Sequence, residues 1–268
     1  MEPSKELGQH FLLDERALDR IVAAAELTGE ETVLEVGAGV GNLTRRLTRV
    51  AGRVVAVEID QRFAPALQTE LEGFPNVDVV WGDILALDPA ALVGEVPYKV
   101  VANLPYGITS AVLRHLLEAR LPPRRMVVTV QREVAERIVA RGGRMSVLAI
   151  SIQFYGRPRL LFRLRPGAFY PPPEVESAVL RIDRHSRPPV EVEDRETFFR
   201  VVRAGFAHPR KQLANSLAGG LGISSREAVH LLTAAGIDPR IRAERLDLAD
   251  WARLARRLRE HGLASSQG

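Results

Sequence analysis

The segment Asn103-Leu104-Pro105-Tyr106 holds the residue types in this chain that are best suited to binding a planar, amino-bearing ring. It follows Lys99-Val100-Val101-Ala102, a short apolar run that is typical of a buried strand. An amide oxygen and a backbone carbonyl beside an aromatic ring suit an exocyclic amino group, and adenine fits this description better than other nucleobases. The same tetrapeptide also forms an ordinary turn after a strand, so both interpretations stay open on these residues alone.

A glycine-rich turn precedes this segment in the chain. The run 32–36 leads into Gly37-Ala38-Gly39-Val40-Gly41, whose glycines allow a tight turn and let a ligand touch the backbone. The dinucleotide fingerprint would place its third glycine at position 42, which is Asn42 here. The spacing instead resembles the first motif of the Rossmann-like S-adenosylmethionine methyltransferases.

Two acidic residues follow at the ends of the next two predicted strands. Glu58 lies about 20 residues beyond the glycines, where a carboxylate can accept hydrogen bonds from both ribose hydroxyls of a nucleoside. Asp60 is expected to cap the following helix. Asp83 ends the third strand, a position that in this fold contacts the exocyclic amine of the cofactor's adenine. Each acid alone could be a solvated loop carboxylate, but together with the glycines they predict a cofactor site at one edge of the sheet.

The elements that must position these residues alternate in type along the first two-thirds of the chain. Strands are predicted at 32–36, 53–58, 77–81, 99–102 and 126–131, and helices at 43–50, 63–72, 108–119 and 133–140. This alternation predicts an α/β fold with a parallel sheet covered by helices on both faces. Three further strands are predicted at 147–155, 159–164 and 177–183, giving the sheet an antiparallel finish.

The composition changes near His185, where the chain becomes polar and rich in proline. Beyond this point the periodicity is helical, with candidate helices at 197–206, 211–217, 226–235 and 248–260. We therefore predict two domains, a methyltransferase-like domain over 1–186 and a helical domain over 187–268.

Several separated motifs, in one order, make the chain similar to the ribosomal RNA adenine dimethyltransferases, and among these to the bacterial small-subunit (16S) enzymes. Besides the glycine-rich loop, the two acids and the Asn-Leu-Pro-Tyr segment, the motifs are Gly8-Gln9-His10-Phe11-Leu12, Gly143-Arg144-Met145-Ser146, Phe169-Tyr170-Pro171-Pro172-Pro173-Glu174-Val175-Glu176-Ser177-Ala178-Val179, Phe206-Ala207-His208-Pro209-Arg210-Lys211 and Asn215-Ser216-Leu217. The resemblance implies a Rossmann-like class I S-adenosylmethionine-dependent methyltransferase domain with a smaller all-helical C-terminal domain. It also implies a role in ribosome biogenesis, by N6,N6-dimethylation of two adjacent adenines near the 3′ end of small-subunit rRNA.

Roles for individual residues follow from the residue types and from the resemblance together. For the target adenine, Asn103 and Leu104 would accept the N–H groups of the amine, Tyr106 would stack on one face, and the resemblance places Phe169 on the other. No general base is needed, because the proton can leave after transfer. The expected cofactor contacts are His10, Leu12, Gly37, Gly39, Glu58, Asp83 and Asn103. The candidate phosphate contacts are Arg141, Arg144, Arg210 and Lys211, although each could equally be a solvated surface cation.

Two positions depart from the family pattern. Bacterial relatives usually have Asn where this chain has His10, although His is found elsewhere in the family. Relatives commonly have Arg where this chain has Pro209, so one phosphate contact would be missing. Sister enzymes that methylate large-subunit rRNA tend to lack the Pro-Pro-Pro-x-Val-x-Ser pattern found here. That large-subunit activity and a non-catalytic nucleic-acid-binding or assembly role are the alternatives.

The composition limits the remaining function classes. The net charge is +4, and the positive side chains are almost all arginines, which suits a nucleic-acid partner but also follows from genomic base composition. Cysteine is absent, and no His, Asp or Glu cluster has metal-ligand spacing, so we expect neither a disulfide framework nor a metal. Without a secretory signal or an apolar stretch long enough to span a bilayer, we expect a cytoplasmic location and no membrane partner. We also expect a monomer. The expected partner is ribosomal RNA in an immature small subunit.

Overall fold

The chain folds around a mostly parallel β-sheet flanked by helices. The structure is a computed structural model and describes residues 8–261. The strands are β1 (Phe11–Leu12), β2 (Thr32–Val36), β3 (Arg53–Glu58), β4 (Val77–Trp81), β5 (Tyr98–Asn103), β6 (Arg125–Gln131), β7 (Gly156–Leu164), β8 (Phe169–Tyr170) and β9 (Ser177–Arg184). The helices are α1 (Glu15–Ala24), α2 (Asn42–Thr48), α3 (Ala64–Glu70), α4 (Pro89–Val93), α5 (Thr109–Glu118), α6 (Arg132–Ile138), α7 (Val147–Tyr155), α8 (Arg195–Phe206), α9 (Leu213–Leu221), α10 (Ser225–Ala234) and α11 (Leu248–Glu260). Within these residues no helix is both long and apolar enough to cross a membrane.

The order of the strands determines where the sheet can hold a ligand. The seven-stranded sheet has the order β4-β3-β2-β5-β6-β9-β7. Strands β2 to β6 pair in parallel, and β9 pairs antiparallel to β6. From β2 the chain first builds β3 and β4 on one side, and then returns to add β5 and β6 on the other. Ligands of such sheets bind in the crevice at the carboxyl ends of the strands where the order reverses, which here is between β2 and β5.

The predicted α/β class is confirmed, and so are the five parallel strands. Strands β2, β3 and β4 have the predicted bounds, β5 is one residue longer than predicted at each end, and β6 begins one residue earlier than predicted. The centres of β2, β3, β5 and β6 are rich in valine and are buried, as expected for parallel strands covered on both faces, whereas the edge strand β4 is only partly buried. Strands β7 and β9 also confirm the antiparallel finish.

A short two-stranded sheet ties the N-terminal segment to the segment after β7. Strands β1 and β8 pair antiparallel, with Leu12 opposite Phe169 and Phe11 opposite Tyr170. The backbone N–H groups of Leu13 and Asp14 donate to the carbonyl of Ala168, at 2.8 and 3.3 Å. This pairing holds the residues just before β1 next to the residues just after β8.

The described residues form two compact units, 8–136 with 157–184 and 137–156 with 185–261. The prediction of a strand over 147–155 is wrong, because this segment is helix α7 and belongs to the second unit. Its β-branched residues favour a strand locally, but Ser146 caps a helix by accepting from the Ala149 N–H at 3.1 Å. A helix that is apolar on all sides is stable when it is buried, and six of its nine residues are buried. The division into domains 1–186 and 187–268 stays a prediction.

The second unit has its own apolar core. Phe154 of α7 stacks on Phe198 of α8 with ring centroids 5.0 Å apart. Trp251 of α11 is fully buried and packs with Phe206 of α8 at 5.6 Å. All four helices predicted for this region, α8 to α11, are present, with ends shifted by at most a few residues.

Candidate functional site

A cavity of about 390 Å³ opens at the carboxyl ends of the parallel strands, within the first unit. This volume lies within the usual range for small-molecule sites. Among its lining residues are the predicted His10, Gly37, Gly39, Glu58, Asp83, Asn103, Leu104 and Tyr106. The structure therefore brings most of the predicted site residues together in one place, although they come from five separate segments of the chain.

The glycine-rich loop and Glu58 form the floor of the cavity. Glu58 ends β3 and is 4% exposed. Its Oε2 accepts from the Gly39 N–H at 2.7 Å and its Oε1 from the Asp60 N–H at 2.8 Å. Gly39 has φ of +55°, and a Cβ at this position would lie 2.8 Å from the Phe11 ring, so the loop requires glycine here. Burial raises the pKa of the Glu58 carboxyl, and the backbone N–H bonds oppose this effect.

A second acid lies under the same loop. Glu35 of β2 is 1% exposed, and its Oε2 has no hydrogen-bond partner among residues 8–261. Burial raises the pKa of this carboxyl to about 8, and the nearby Thr44 hydroxyl, which lies outside normal hydrogen-bond geometry, offsets only part of the effect. Glu35 lines a smaller cavity of about 30 Å³ together with Gly37, Leu12 and Asn103. An unsatisfied buried carboxyl beside a ligand-sized cavity is well placed to accept a hydrogen bond from a ligand amine.

The far end of the main cavity combines one exposed acid with two apolar side chains. Asp83 follows β4, is exposed, and accepts from the Leu85 N–H at 2.9 Å. Ile59 and Ile84, which sequence reasoning missed, also line the cavity. Ile59 is 53% exposed although it is a large apolar residue. The sequence held a signal for both residues, because an isoleucine directly follows each of the two acids, Glu58 and Asp83. A flat heterocycle needs apolar surface of this kind beside its polar contacts.

Asn103 is fixed in orientation by a contact with the N-terminal segment. It ends β5, and its Nδ2 donates to the carbonyl of His10 at 2.8 Å. Because the amide nitrogen is engaged, the Oδ1 atom remains as the side chain's acceptor. The next residue, Leu104, is buried, and its N–H donates to the Thr129 carbonyl at 3.1 Å. The side chain is therefore anchored through one atom and can accept a hydrogen bond through the other.

Tyr106 and His10 present a stacked pair of rings at the cavity wall. Their ring centroids are 5.3 Å apart with an angle of 26° between the planes. The Tyr106 hydroxyl shares a hydrogen bond of 2.6 Å with Ser177 Oγ, and burial raises the pKa of the phenol. His10 Nδ1 lies 2.7 Å from the Pro171 carbonyl and must be the donor, since a carbonyl can only accept. The imidazole covers one face of the Tyr106 ring.

Two predicted residues lie behind the cavity wall. Phe169 is 4% exposed and packs in the apolar core of the first unit. Leu12 lies opposite Phe169 in the β1–β8 pair and is also buried. It lines the smaller cavity, as Glu35 does. Pro171, two residues after Phe169, contacts His10 directly. The role of Phe169 in stacking stays a prediction.

The predicted phosphate contacts all belong to the second unit. Arg141, Arg144, Arg210 and Lys211 are exposed, and no carboxylate of the described chain lies within 4.0 Å of any of them. Their roles stay predictions. Residues 8–261 contain no group of three or more His, Cys, Asp or Glu side chains that could hold a metal ion.

Comparisons with known sequences give a consistent result. The family described as "Ribosomal RNA adenine dimethylase" matches residues 2–260. A protein of Dehalococcoides mccartyi named "Ribosomal RNA small subunit methyltransferase A" is 49% identical over 255 residues, covering 95% of this chain and 88% of that protein. The protein of the same name from Geobacillus thermodenitrificans is 43% identical over 264 residues, covering 95% of this chain and 90% of that protein.

Two solved structures have the same architecture. The 23S rRNA methyltransferase ErmE is 31% identical, with a TM-score of 0.73 over 93% of this chain and 99% of that one. A dimethyladenosine transferase from Plasmodium falciparum has a TM-score of 0.80 over 94% of this chain and 98% of that one. At 24% identity, the second comparison supports the fold alone.

Proposed function

Since this chain belongs to the ribosomal RNA adenine dimethylase family, we propose that it transfers methyl groups from S-adenosylmethionine to N6 of two adjacent adenines near the 3′ end of small-subunit rRNA. The product would be N6,N6-dimethyladenosine at both positions, made during ribosome biogenesis. The observation that carries the proposal is Asn103, whose amide is anchored to His10 and lies beside Tyr106 in the same cavity as Glu58. The choice of the small subunit follows from the similarity to small-subunit methyltransferases over almost the whole chain.

The residues present fit S-adenosylmethionine. Glu58 would accept hydrogen bonds from the ribose hydroxyls, and Asp83 would accept from the adenine amine, with Ile59 and Ile84 against the ring. The unsatisfied Glu35 carboxyl beneath the glycine-rich loop suits the amino group of the methionine part. Gly37 and Gly39 allow the ligand close to the backbone. His10 and Leu12 would complete the site from the N-terminal segment.

The chain's own contribution to the reaction is to orient a poor nucleophile. When bound, S-adenosylmethionine supplies an electrophilic methyl group on a sulfonium. The adenine N6 lone pair is delocalised into the ring, so the protein must hold the amine in a geometry that frees it. Asn103 Oδ1 and the Leu104 carbonyl would each accept one N–H bond, directing the lone pair toward the methyl group. Orientation of this kind lowers a barrier by up to about 7–11 kcal/mol, and the displaced proton can leave afterwards without a general base.

The aromatic residues would hold the base once it has left its stack. Tyr106 would stack on one face, a contact worth about 1–3 kcal/mol per base. His10 covers a face of Tyr106, so a base that uses this face would displace the imidazole. Phe169 would take the second face, which requires its ring to turn out of the apolar core.

The RNA itself would be recognised largely through its shape and backbone. Arg141, Arg144, Arg210 and Lys211 would contact phosphates, which position the protein without reading sequence. The partner is an immature small subunit, in which folded RNA presents the target adenines. We further propose that the protein acts as a cytoplasmic monomer without a membrane partner.

A large-subunit rRNA methyltransferase activity is the second candidate. The observation in its favour is the 31% identity to the 23S rRNA methyltransferase ErmE along nearly the full length of both chains. The higher identity to small-subunit enzymes makes it the weaker candidate. A purely non-catalytic role agrees less well with an intact set of Asn103, Tyr106, Glu58 and Asp83.

One transfer assay separates the three candidate functions. The protein is incubated with methyl-labelled S-adenosylmethionine and either small subunits lacking this modification or protein-free large-subunit rRNA. Label in the small-subunit RNA supports the proposal. Label only in the large-subunit RNA would replace it with the second candidate, and binding without label in either RNA would favour a non-catalytic role.

A further inference from the structure

Strand β7 presents a row of arginines on one face of the sheet edge. This strand is at one edge of the seven-stranded sheet, next to β9. Along β7 and the residue that follows it, exposure alternates, and the exposed positions are Arg157, Arg159, Leu161, Arg163 and Arg165. We call the four arginines of this set the β7 arginine row. Alternate side chains of a strand lie on the same face about 6.6 Å apart, so the row is about 26 Å long.

The intervening residues explain why the row faces outward. Leu164 is buried in the core of the first unit, and Phe162 packs against that core. The guanidinium of Arg20, from α1, lies over the Phe162 ring at 3.6 Å from its centroid. One face of β7 is therefore held against the protein, and the period of two assigns the arginines to the other face. Arg165 keeps an extended backbone, with φ of −76° and ψ of 155°, so the row continues past the end of the strand.

The row runs toward the candidate site. The His185 N–H donates to the Tyr155 carbonyl, which holds the residue before β7 beside the residue after β9. Strand β7 therefore begins where β9 ends, and runs toward the edge of the sheet where the parallel strands have their carboxyl ends. Beyond Arg165 the chain reaches β8 and then Pro171, which contacts His10 in the cavity wall. The last arginine of the row thus lies only a few residues from the cavity.

The row carries charge that the protein itself does not neutralise. Arg163 pairs with Glu136 at 2.9 Å. For Arg157, Arg159 and Arg165, no carboxylate of the described residues lies within 4.0 Å. Edge strands often carry charges and proline, and Pro158 is present here, simply to prevent pairing with other chains. That explanation needs only one or two charges, whereas this strand presents arginines at four of five exposed positions, and arginine suits phosphate especially well.

We propose that the β7 arginine row binds the phosphate backbone of the RNA strand that leads to the target adenines. This inference rests on the proposed function and adds to it a surface, within the first unit, that guides the substrate to the cavity. A regular row of cations on a flat edge tracks a polyanion without reading its sequence. Arg157, Arg159 and Arg165 would each contact a phosphate, and Arg163 would contribute when Glu136 releases it.

The test compares two triple variants with the same change in net charge. The test variant is Arg157→Thr/Arg159→Thr/Arg165→Thr, since threonine is polar and suits a strand. The control variant is Arg49→Thr/Arg124→Thr/Arg226→Thr, which removes three exposed arginines that lie outside strands β7 and β9. The probe is small-subunit rRNA that lacks the modification, with binding measured from 50 to 200 mM KCl. Calorimetry of S-adenosylmethionine binding shows that each variant has kept its fold.

The expected result is specific to the row. The slope of log affinity against log salt concentration should become less negative by about 2 to 3 when three phosphate contacts are lost. The ratio of the parent chain's affinity to that of the test variant should therefore be smaller by about 20-fold or more at 200 mM KCl than at 50 mM KCl. The control variant should keep the slope of the parent chain, and a variant with lysine at the three row positions should recover most of it.

Three results would overturn the inference. The test variant could keep the parent's slope; both triple variants could lose slope equally, which would indicate a general charge effect; or the test variant could only aggregate more, which would indicate edge protection. A parent chain that neither binds nor methylates small-subunit rRNA would instead refute the proposed function. The row proposal would then fail as well. The two failures are distinguishable, because a failure of the row proposal alone leaves a parent chain that still binds and methylates small-subunit rRNA.

Discussion

Replacement of Asn103 by alanine is the change that most directly probes the acceptor geometry. The Asn103 Nδ2 donates to the His10 carbonyl at 2.8 Å, which leaves the Oδ1 atom as the acceptor of this cavity-lining side chain. During transfer the adenine nitrogen gains positive charge, so the lost hydrogen bond is of the charged kind, worth about 1.5–3 kcal/mol. That alone lowers the rate by about 10-fold to 150-fold, and the lost alignment adds a further factor. We expect kcat for methyl transfer to fall by at least about 100-fold.

The assay measures single-turnover transfer of a labelled methyl group to small-subunit rRNA at saturating RNA and S-adenosylmethionine. Affinity for S-adenosylmethionine, measured by calorimetry, should change by less than about threefold, because most of its expected contacts lie elsewhere in the cavity. An Asn103→Asp variant keeps an acceptor but places an oxygen opposite the His10 carbonyl, so it should also lose transfer.

Asn76 offers a matched control for this experiment. Its Nδ2 donates to the carbonyls of Thr48 and Ala51 at 2.9 and 3.0 Å, and it does not line the cavity. Asn76→Ala should lower the free energy of unfolding by about 1–3 kcal/mol while leaving kcat close to that of the parent chain. Near-normal turnover in Asn103→Ala would refute the account of how the amine is held.

Three other predictions concern the cofactor site and the second unit. Glu58→Gln should raise the Kd for S-adenosylmethionine by about 10-fold to 150-fold in calorimetry, because a carboxylate that accepts from the ribose is lost; an unchanged Kd would contradict its role. Folded Glu35 has a pKa of about 8 against its ordinary 4.5, so the folded chain holds a proton that the unfolded chain releases, and stability falls as pH rises through this window. Urea unfolding without cofactor should lose about 3 kcal/mol from this group between pH 5.5 and 8, a loss that Glu35→Gln should abolish; an equal loss in the variant would contradict the buried acid. Gly205→Ala would place a methyl group 2.3 Å from the Trp251 ring and should lower the free energy of unfolding by about 1–3 kcal/mol. In the control Gly219→Ala, the new methyl group meets no atom nearer than 3.7 Å, so this change should be neutral or stabilising. Equal melting temperatures for the two variants would contradict this packing.

The parallel sheet could be predicted from the sequence because its signals are local. Valine-rich runs such as 53–58 are buried on both faces, and they end at residues that change the character of the chain abruptly. Glu58, Asp83 and Asn103 were identifiable for the same reason, since each ends a strand or closely follows one, and the ends of parallel strands share one edge. Asp60 also does what its position predicts, because its Oδ1 accepts from the Arg62 N–H at 3.1 Å.

What could not be predicted depends on contacts between distant residues. The 147–155 segment is locally strand-like, and only its burial in the second unit makes the helix stable. The contact between His10 and Pro171 joins residues 161 positions apart, so no local pattern indicates that His10 stacks on Tyr106. The β7 arginine row was present in the sequence as alternating arginines, but only the packing of the other face of β7 against the core shows that they are exposed.

Mass spectrometry of the 3′-terminal fragment of small-subunit rRNA tests the central proposal most directly. The fragment is cut from small subunits that lacked the modification and were then incubated with the protein and S-adenosylmethionine. The account predicts four added methyl groups, two on each of two adjacent adenines, and none after incubation with Asn103→Ala. Methylation of any other base, or a fragment that stays unmodified while large-subunit RNA gains methyl groups, would contradict it.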